Sequence, residues 1–191
     1  IADDEHGHMI INHLEESGVR VLPESLVATR TPTATATIGV DGQAQYTFDL
    51  QWETLEHLDD TRPRLIHTGS IAAFMEPGAS SVRNVLYASE SSEITFDPNI
   101  RPALLDPLAQ VLPRVVKMSD EDADWLYPDV DLNQVIDLVL SLGTRLAVIT
   151  RGATGAVLAT QRDRVHMGAE PVTVVDTIGA GDSFMSSLIL S

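Results

Sequence analysis

Strand-like and helix-like segments alternate along most of this chain, and that alternation is the strongest constraint on its fold. From residue 65 onwards, short apolar or β-branched runs are separated by stretches with helical periodicity. The predicted strands are 65–71, 94–97, 115–118, 146–150, 156–160, 164–167 and 172–176, and the predicted helices are 79–89, 103–112, 120–127, 132–142 and a last one from Gly181. This order predicts an α/β fold with a doubly wound, mostly parallel sheet covered on both faces.

The first 50 residues depart from that alternation. Residues 6–17 have the pattern of a helix, and residues 19–22 that of a short strand. Two β-rich runs, 33–40 and 43–50, flank Asp41-Gly42, a dipeptide that supplies the positive φ of a tight turn. We therefore expect a β-hairpin added to the α/β domain.

Composition restricts the possible partners. The chain has 191 residues with 43% hydrophobic content, enough to bury a core in one domain or one domain with an appendage. Its 28 acidic and 12 basic residues give a net charge of -16, which would repel nucleic-acid phosphates and anionic lipid surfaces. There is no cysteine, no apolar run of about 18 residues and no basic-plus-apolar leader. We expect a cytoplasmic protein that binds neither nucleic acid nor membrane.

The stretch VVDTIGAGDSFMSSL, residues 174–188, indicates where chemistry takes place. Gly179, Ala180 and Gly181 are small, so their N–H groups can approach an anion at the positive end of the helix that follows. Asp182 lies beside this turn, where the helix dipole favours its charged form. An ionised acid next to an anion site could accept the proton of a hydroxyl during phosphoryl transfer. The alternative is that Asp182 only caps the helix.

Two other phosphate-binding loops are excluded by the sequence. No G-x-x-x-x-G-K-[ST] motif occurs, so the chain is not a P-loop enzyme. A dinucleotide-binding fingerprint would need a third glycine where Phe184 stands and an acid about 20 residues further on.

The stretch VVDTIGAGDSFMSSL, residues 174–188, resembles the C-terminal signature of the PfkB-type carbohydrate kinases, the ribokinase-like superfamily. Other segments follow in that family's order: IADDEHGHMI resembles its GDDxxG stretch with Ala2 in place of glycine, and TFDPNIRP resembles its D-x-N-x-R segment. VKMSDED is similar to its K-x-N-x-x-E segment, and TRGATGA is similar to its nucleotide-side turn. TFDPNIRP is most similar to the fructokinase and 2-keto-3-deoxygluconate kinase branches.

The resemblance implies a ribokinase-like core, residues 1–30 and 53–191, with a β-hairpin lid at 31–52. It implies transfer of the γ-phosphate of ATP to a sugar hydroxyl, with fructose as the first expectation. Mg²⁺ and a monovalent cation such as K⁺ would be the cofactors, and a homodimer could form through the lid. The alternatives are a 2-keto-3-deoxygluconate or nucleoside kinase, or a non-catalytic sugar- or nucleotide-binding homologue.

Carried over position by position, the resemblance makes Asp182 the general base and Gly179, Ala180 and Gly181 the anion hole. Arg101 would clamp a phosphate, unless it is a surface arginine paired with Asp97 or Asp106. Asp176 would belong to a monovalent-cation site, although an acid ending a strand is often a cap.

On the nucleotide side, the resemblance places Thr150, Gly152, Gly155, Lys117 and Ser119. The turn from Thr150 to Gly155 is also compatible with an ordinary hairpin. Asp122 would act on Mg²⁺ through water, because the family has a longer glutamate there. Ser119 and Asp122 together also have the pattern of a helix capping box.

Parts of the family pattern are not found. The family's N-terminal strand and sugar-binding segment would precede Ile1, and the helices completing its adenine pocket would follow Ser191. The chain is also short for this family between Arg101 and Val115. We therefore expect it to join pieces of a longer kinase and to be incomplete at both ends.

Overall fold

The computed structural model describes residues 1–38, 44–51, 63–89, 91–99, 113–173, 177 and 179–191. The chain divides into two compact units: unit 1 holds Ile1–Thr61 and Glu76–Ser81, and unit 2 holds Arg62–Met75 and Val82–Ser191. The helices are α1 (Glu5–Glu16), α2 (Ile71–Phe74), α3 (Gly78–Ala88), α4 (Asp120–Leu126), α5 (Leu132–Ser141) and α6 (Ala180–Leu190). The strands are β1 (Thr33–Ile38), β2 (Ala44–Asp49), β3 (Leu65–Gly69), β4 (Glu93–Asp97), β5 (Val115–Ser119), β6 (Leu146–Thr150), β7 (Ala156–Ala159) and β8 (Arg164–Met167).

Unit 1 contains α1 and a two-stranded antiparallel sheet formed by β1 and β2. Asp4 is the N-cap of α1 and accepts a hydrogen bond from the Gly7 amide at 2.7 Å. The same carboxylate accepts from the Thr31 amide and hydroxyl, both at 2.7 Å. These bonds lower the pKa of Asp4 to about 2, with the Thr31 amide as the largest cause. One side chain therefore links the start of α1 to the residues that lead into β1.

Unit 2 is built on a six-stranded sheet in the order β3-β4-β5-β6-β7-β8. The first four strands are parallel, and β7 and β8 are antiparallel additions at one edge. Parallel strands bring their carboxyl ends to the same edge of the sheet, where ligands bind in open α/β folds. The predicted mostly parallel α/β sheet is confirmed.

Helices α4 and α5 cover one face of this sheet. The α5 helix buries Val135, Ile136, Val139 and Leu140, residues that recur on one helical face. They pack with α4 against alternate residues of β5 and β6, including Val116, Met118, Ala147 and Ile149. The intervening residue Lys117 faces the other side, where its ammonium contacts the first turn of α6. The sheet therefore has an apolar face under α4 and α5 and a charged position under α6.

Two predicted strands are wrong in the described residues. Residues 19–22 form no strand, because the Val19 amide donates to the Leu14 carbonyl and closes α1 before a short 3₁₀ turn, Pro23–Ser25. Val172 and Thr173 are not in a strand either: Val172 is 76% exposed and has no pairing partner among the described residues. The predicted strand at 65–71 ends at Gly69, since Ile71 begins α2.

Other predicted features lie outside the described residues. These are the Asp41-Gly42 turn, the helix at 103–112 and residues 174–176 of the strand at 172–176. The hairpin strands themselves are confirmed as β1 and β2, in the register Thr33↔Asp49 to Ile38↔Ala44.

A cavity of about 750 Å³ lies against the face of the sheet that carries Phe96, Val116 and Met118. Asp97, Lys117 and Asp182 are not among its lining residues, because Asp97 and Lys117 alternate onto the opposite face. The predicted base Asp182 and the pair Asp97 and Lys117 therefore lie apart from this apolar cavity. Among the described helices, none is both long and apolar enough to span a membrane.

Candidate active site

The glycine turn before α6 has the backbone that the sequence predicts. Gly179 is the N-cap, with φ 73°, a left-handed conformation that glycine adopts without steric cost. The Ser183 amide donates to the Gly179 carbonyl at 2.9 Å, which starts the helix. The Ala180 amide donates to the Thr177 carbonyl at 3.2 Å, so one of the three predicted anion-hole donors is already engaged.

Asp182 is the third residue of α6, and its side chain is exposed. Because the N-cap is Gly179, Asp182 is not the capping residue of the helix. A carboxylate in the first turn is favoured by the positive end of the helix dipole. The structure therefore presents the predicted base on an open surface, immediately after the glycine turn.

A buried ion pair lies beneath this turn. The Lys117 ammonium donates to Asp97 Oδ2 at 2.8 Å, and the two side chains are only 5% and 7% exposed. The parallel register pairs Thr95 with Val115 and Phe96 with Val116, so the next pair along is Asp97 and Lys117. Both side chains consequently lie on the same face of the sheet.

The Lys117 ammonium lies close to the start of α6. A Cβ added at Gly181 would lie 3.0 Å from Lys117 Nζ, closer than nearly all real Cβ contacts. Glycine at this position therefore allows the ammonium to reach the backbone of the turn.

The surroundings of Asp97 are dominated by burial and by charge. Burial raises the pKa of the Asp97 carboxyl, and the Lys117 ammonium offsets part of that rise. The carboxylates of Asp122 and Asp182 raise the Asp97 pKa further. Three acids and one lysine thus belong to one electrostatic neighbourhood at the carboxyl end of the sheet. Among the described residues, Oδ1 of Asp97 has no hydrogen-bond partner.

The ends of β3 and β4 meet at close range beside Asp97. A Cβ at Gly69 would lie 1.9 Å from the Asp97 carbonyl oxygen, and the Ser70 amide donates to that oxygen at 3.0 Å. Ser70 and Asn99 have φ of 53° and 40°, in the region that side chains rarely occupy. Such strain is often found at functional sites.

Ser119 and Asp122 form the capping box of α4. The Asp122 amide donates to Ser119 Oγ at 3.0 Å, and the Ser119 amide donates to Asp122 Oδ2 at 2.9 Å. The structural alternative for this pair is therefore observed. Asp122 is buried, and it also raises the pKa of Asp97 from its position at the same sheet edge.

The predicted nucleotide-side residues lie at the end of β6. Thr150 pairs in register with Ser119 of β5, so the two predicted positions are neighbours. Gly152 begins a 3₁₀ turn, Gly152–Thr154, and Gly155 follows it before the antiparallel β7. The hairpin that the sequence left as an alternative is thus present, with its turn at the carboxyl end of a parallel strand.

Some predicted site residues lie outside the described part of the chain, namely Arg101 and Asp176. Among the described residues, no group of three or more histidines or acids is arranged to hold a metal ion. Sequence reasoning noticed Asp97 only as a partner for Arg101 and missed its pairing with Lys117. The available signal was a charged residue in each of two adjacent apolar strands, ITFD and VVKMS.

This chain matches a family of known proteins. A family model described as "pfkB family carbohydrate kinase" matches residues 1–191. The chain belongs to the PfkB family of carbohydrate kinases. A fructokinase from Rhizobium leguminosarum bv. trifolii is 33% identical over 210 residues, which cover 100% of this chain and 64% of the relative. The chain therefore spans about two thirds of the length of the PfkB kinase it matches.

Solved structures show that this PfkB chain has the ribokinase-like α/β fold. An Escherichia coli protein designated ribokinase II, solved with ATP and Mg²⁺, has a TM-score of 0.79 and 25% identity, covering 99% of this chain and 67% of that one. A Vibrio cholerae fructokinase double mutant, solved with fructose, ADP and a potassium ion, has a TM-score of 0.80 and 23% identity over the same shares, 99% and 67%.

Proposed function

We propose that this protein is an ATP-dependent sugar kinase that transfers the γ-phosphate of ATP to a hydroxyl of fructose. The observation that carries the proposal is the exposed Asp182 on the first turn of α6, directly after the glycine turn of a PfkB-family chain. Identity to a fructokinase over the whole of this chain supports fructose as the acceptor.

Each residue of the site has a separate role in such a transfer. Asp182 accepts the proton of the attacking hydroxyl, as a positioned general base does. The turn from Gly179 to Gly181 holds the transferred phosphoryl group, because helix N-termini present N–H donors and positive partial charge. Arg101 would be a further phosphate contact, while Thr150, Gly152 and Gly155 would contact the nucleotide.

The family also implies Mg²⁺, which when bound neutralises charge on the phosphates. Asp122 is an oxygen donor at the same sheet edge, which fits the metal's preference for carboxylate and water. Oδ2 of Asp122 already accepts a hydrogen bond from the Ser119 amide, so the carboxylate is held at the start of α4. A contact through water is therefore the role we assign to Asp122. A monovalent cation such as K⁺ is a second proposed cofactor, in line with the potassium-bound Vibrio cholerae relative.

The cellular compartment and the oligomeric state follow from the same function. We infer a cytoplasmic protein, since ATP and sugar are both substrates, and a homodimer formed through the β1–β2 hairpin that serves as the lid. Sedimentation of the purified protein would give the mass of a dimer, and a hairpin variant that sediments equally well as a dimer would contradict the lid interface.

The function is tested by a coupled ADP-release screen with fructose, 2-keto-3-deoxygluconate, ribose and adenosine. We expect the highest kcat/KM with fructose. A higher kcat/KM with another acceptor would replace fructose but retain the kinase. ADP release that no acceptor raises above ATP alone would contradict the kinase itself.

A further inference from the structure

We propose that Lys117 is a positioning residue of the phosphoryl site, whose buried ammonium, held by Asp97, supports the first turn of α6 and places fixed positive charge behind the anion hole. This inference rests on the proposed function, since it concerns the anion that the turn would hold. It gives Lys117 a role behind the turn and not a direct contact with the nucleotide.

The first step of the argument is that the ammonium cannot move away from the turn. Its side chain is 5% exposed, and its contact with Asp97 Oδ2 at 2.8 Å fixes it in the sheet. On its other side, Nζ is 3.0 Å from the position that a Gly181 Cβ would take. The charge is therefore held next to the backbone of the residue that precedes Asp182.

The second step is that the pair leaves hydrogen-bonding capacity unused. An ammonium has three N–H donors, and in the described part of the chain only Asp97 Oδ2 accepts one of them. Asp97 Oδ1 has no partner among the same residues. A purely structural buried ion pair would be expected to satisfy these groups, because buried charges are costly unless fully hydrogen-bonded.

The third step is the balance of charge around the turn. The carboxylates of Asp122 and Asp182 both act on Asp97, and Lys117 is the cation paired with Asp97. A phosphoryl group that arrives at the turn brings further negative charge into this acidic neighbourhood. A fixed ammonium behind the turn offsets that repulsion without reorganisation, which is how preorganised charges stabilise an anion.

The test separates this role from simple structural support by the sign of two effects. Lys117→Met removes the positive charge, and Asp97→Asn removes the negative charge that compensates it, yet both break the same ion pair. The affinity for inorganic phosphate is measured by isothermal titration at about pH 8 and low ionic strength, where screening is weak. We expect about fivefold weaker binding in Lys117→Met and measurably tighter binding, about twofold or more, in Asp97→Asn.

The controls come from the other end of the same two strands. Glu93 and Arg114 form an ion pair at 2.9 Å whose side chains are 48% and 41% exposed. Glu93→Gln and Arg114→Met make the same two charge changes far from the glycine turn, and phosphate affinity should remain within about twofold. Circular dichroism confirms that each variant is folded.

The proposal is overturned if Lys117→Met and Asp97→Asn change phosphate affinity in the same direction, if neither changes it beyond the controls, or if the wild-type protein binds no phosphate. If Lys117→Met does not fold, Asp97→Asn decides alone: tighter binding supports the role, and weaker or equal binding overturns it. The kinase assay is read separately. Opposite effects on phosphate affinity in a protein without sugar-dependent ADP release would remove the proposed function and leave the role of Lys117 standing.

Discussion

At the scale of single residues, the site depends on places where one backbone passes very close to another group. Gly69 leaves room for the Asp97 carbonyl, and Gly181 leaves room for the Lys117 ammonium. These two glycines come from distant parts of the chain, and both border the same ion pair. Asp97 and Lys117 can occupy their positions only because the residues next to them, Gly69 and Gly181, have no side chain.

The close approach at Gly69 makes a stability prediction. In Gly69→Ala, the new Cβ would lie 1.9 Å from the Asp97 carbonyl oxygen, so the backbone of β3 or β4 must shift. We expect the free energy of unfolding to fall by about 2 kcal/mol, as for other overpacked sites, measured by urea denaturation. Gly168→Ala is the control, because a Cβ there meets nothing within 4 Å. Equal stability of the two variants would contradict the close approach.

Asp4 makes a prediction about acid stability. Its pKa is lowered to about 2 by hydrogen bonds from Thr31 and Gly7, whereas the ordinary value is 3.8. A lowered pKa stabilises the folded state above the ordinary value, and the contribution is lost as pH falls from there towards 2. Urea midpoints between pH 5 and pH 2 should therefore fall less steeply in Asp4→Asn than in the wild type. Asp124→Asn, on the exposed side of α4, controls for the loss of one carboxylate.

A pH dependence in Asp4→Asn as steep as that of the wild type would show that the three hydrogen bonds to Asp4 do not form in solution. The variant should also be less stable than the wild type at pH 7, because an amide cannot replace a carboxylate that accepts three hydrogen bonds.

The sequence predicts the arrangement of site residues when those residues are adjacent in the chain. The glycine turn and Asp182 are adjacent in sequence, so their arrangement follows from a strand, a turn and a helix. The Asp97–Lys117 pair joins residues 20 positions apart, and its geometry depends on the register of two parallel strands. That register cannot be deduced from either strand alone.

At the scale of elements, the parallel strands place the candidate residues at one edge. Gly69, Asp97, Ser119 and Thr150 end β3, β4, β5 and β6 respectively. Gly69 pairs with Asp97 in register, and Ser119 pairs with Thr150. The predicted element order was sufficient to locate this edge, because parallel strands separated by helices leave little freedom. The isolated strand at residues 19–22 was wrong because local β-propensity does not supply a partner.

The capping box of α4 allows a test of the metal role of Asp122. Asp122→Asn keeps an oxygen that can accept from the Ser119 amide but removes the negative charge. If Asp122 orders the water shell of Mg²⁺, the Mg²⁺ concentration for half-maximal activity should rise about tenfold, as for other indirect metal contacts. The control is Asp131→Asn, an equivalent change at the N-cap of α5.

Asp131 accepts from the Asn133 amide at 2.9 Å, so both variants modify a helix cap by the same chemical change. An equal Mg²⁺ requirement in the two variants would leave Asp122 as a capping residue and nothing more.

At the scale of the whole molecule, family membership and fold were accessible from the sequence because five short motifs occur in order along nearly the whole chain. The family match over residues 1–191 and the TM-scores of 0.79 and 0.80 agree with that reading. The identity of the acceptor sugar could not be deduced from the sequence in the same way. The segment expected to cover the sugar is the β-hairpin lid at 31–52, and none of the five motifs lies in it.

The charge of the molecule bears on the site as well. A net charge of -16 opposes the binding of any phosphate-bearing ligand. The N–H groups of the glycine turn and the buried Lys117 contribute positive charge that offsets part of that repulsion. Phosphate and nucleotide affinity should accordingly depend on this small region more than on the surface as a whole.

The central claim is that Asp182 removes the proton of the attacking hydroxyl beside an anion-binding turn. Its most direct test is the steady-state kinetics of Asp182→Ala with ATP and the best acceptor from the screen. We expect kcat to fall by at least about 10²-fold, because a positioned general base contributes about 10²–10⁴ in rate, while ATP affinity stays within about twofold. A variant that keeps more than roughly a tenth of the wild-type kcat would contradict the base role of Asp182.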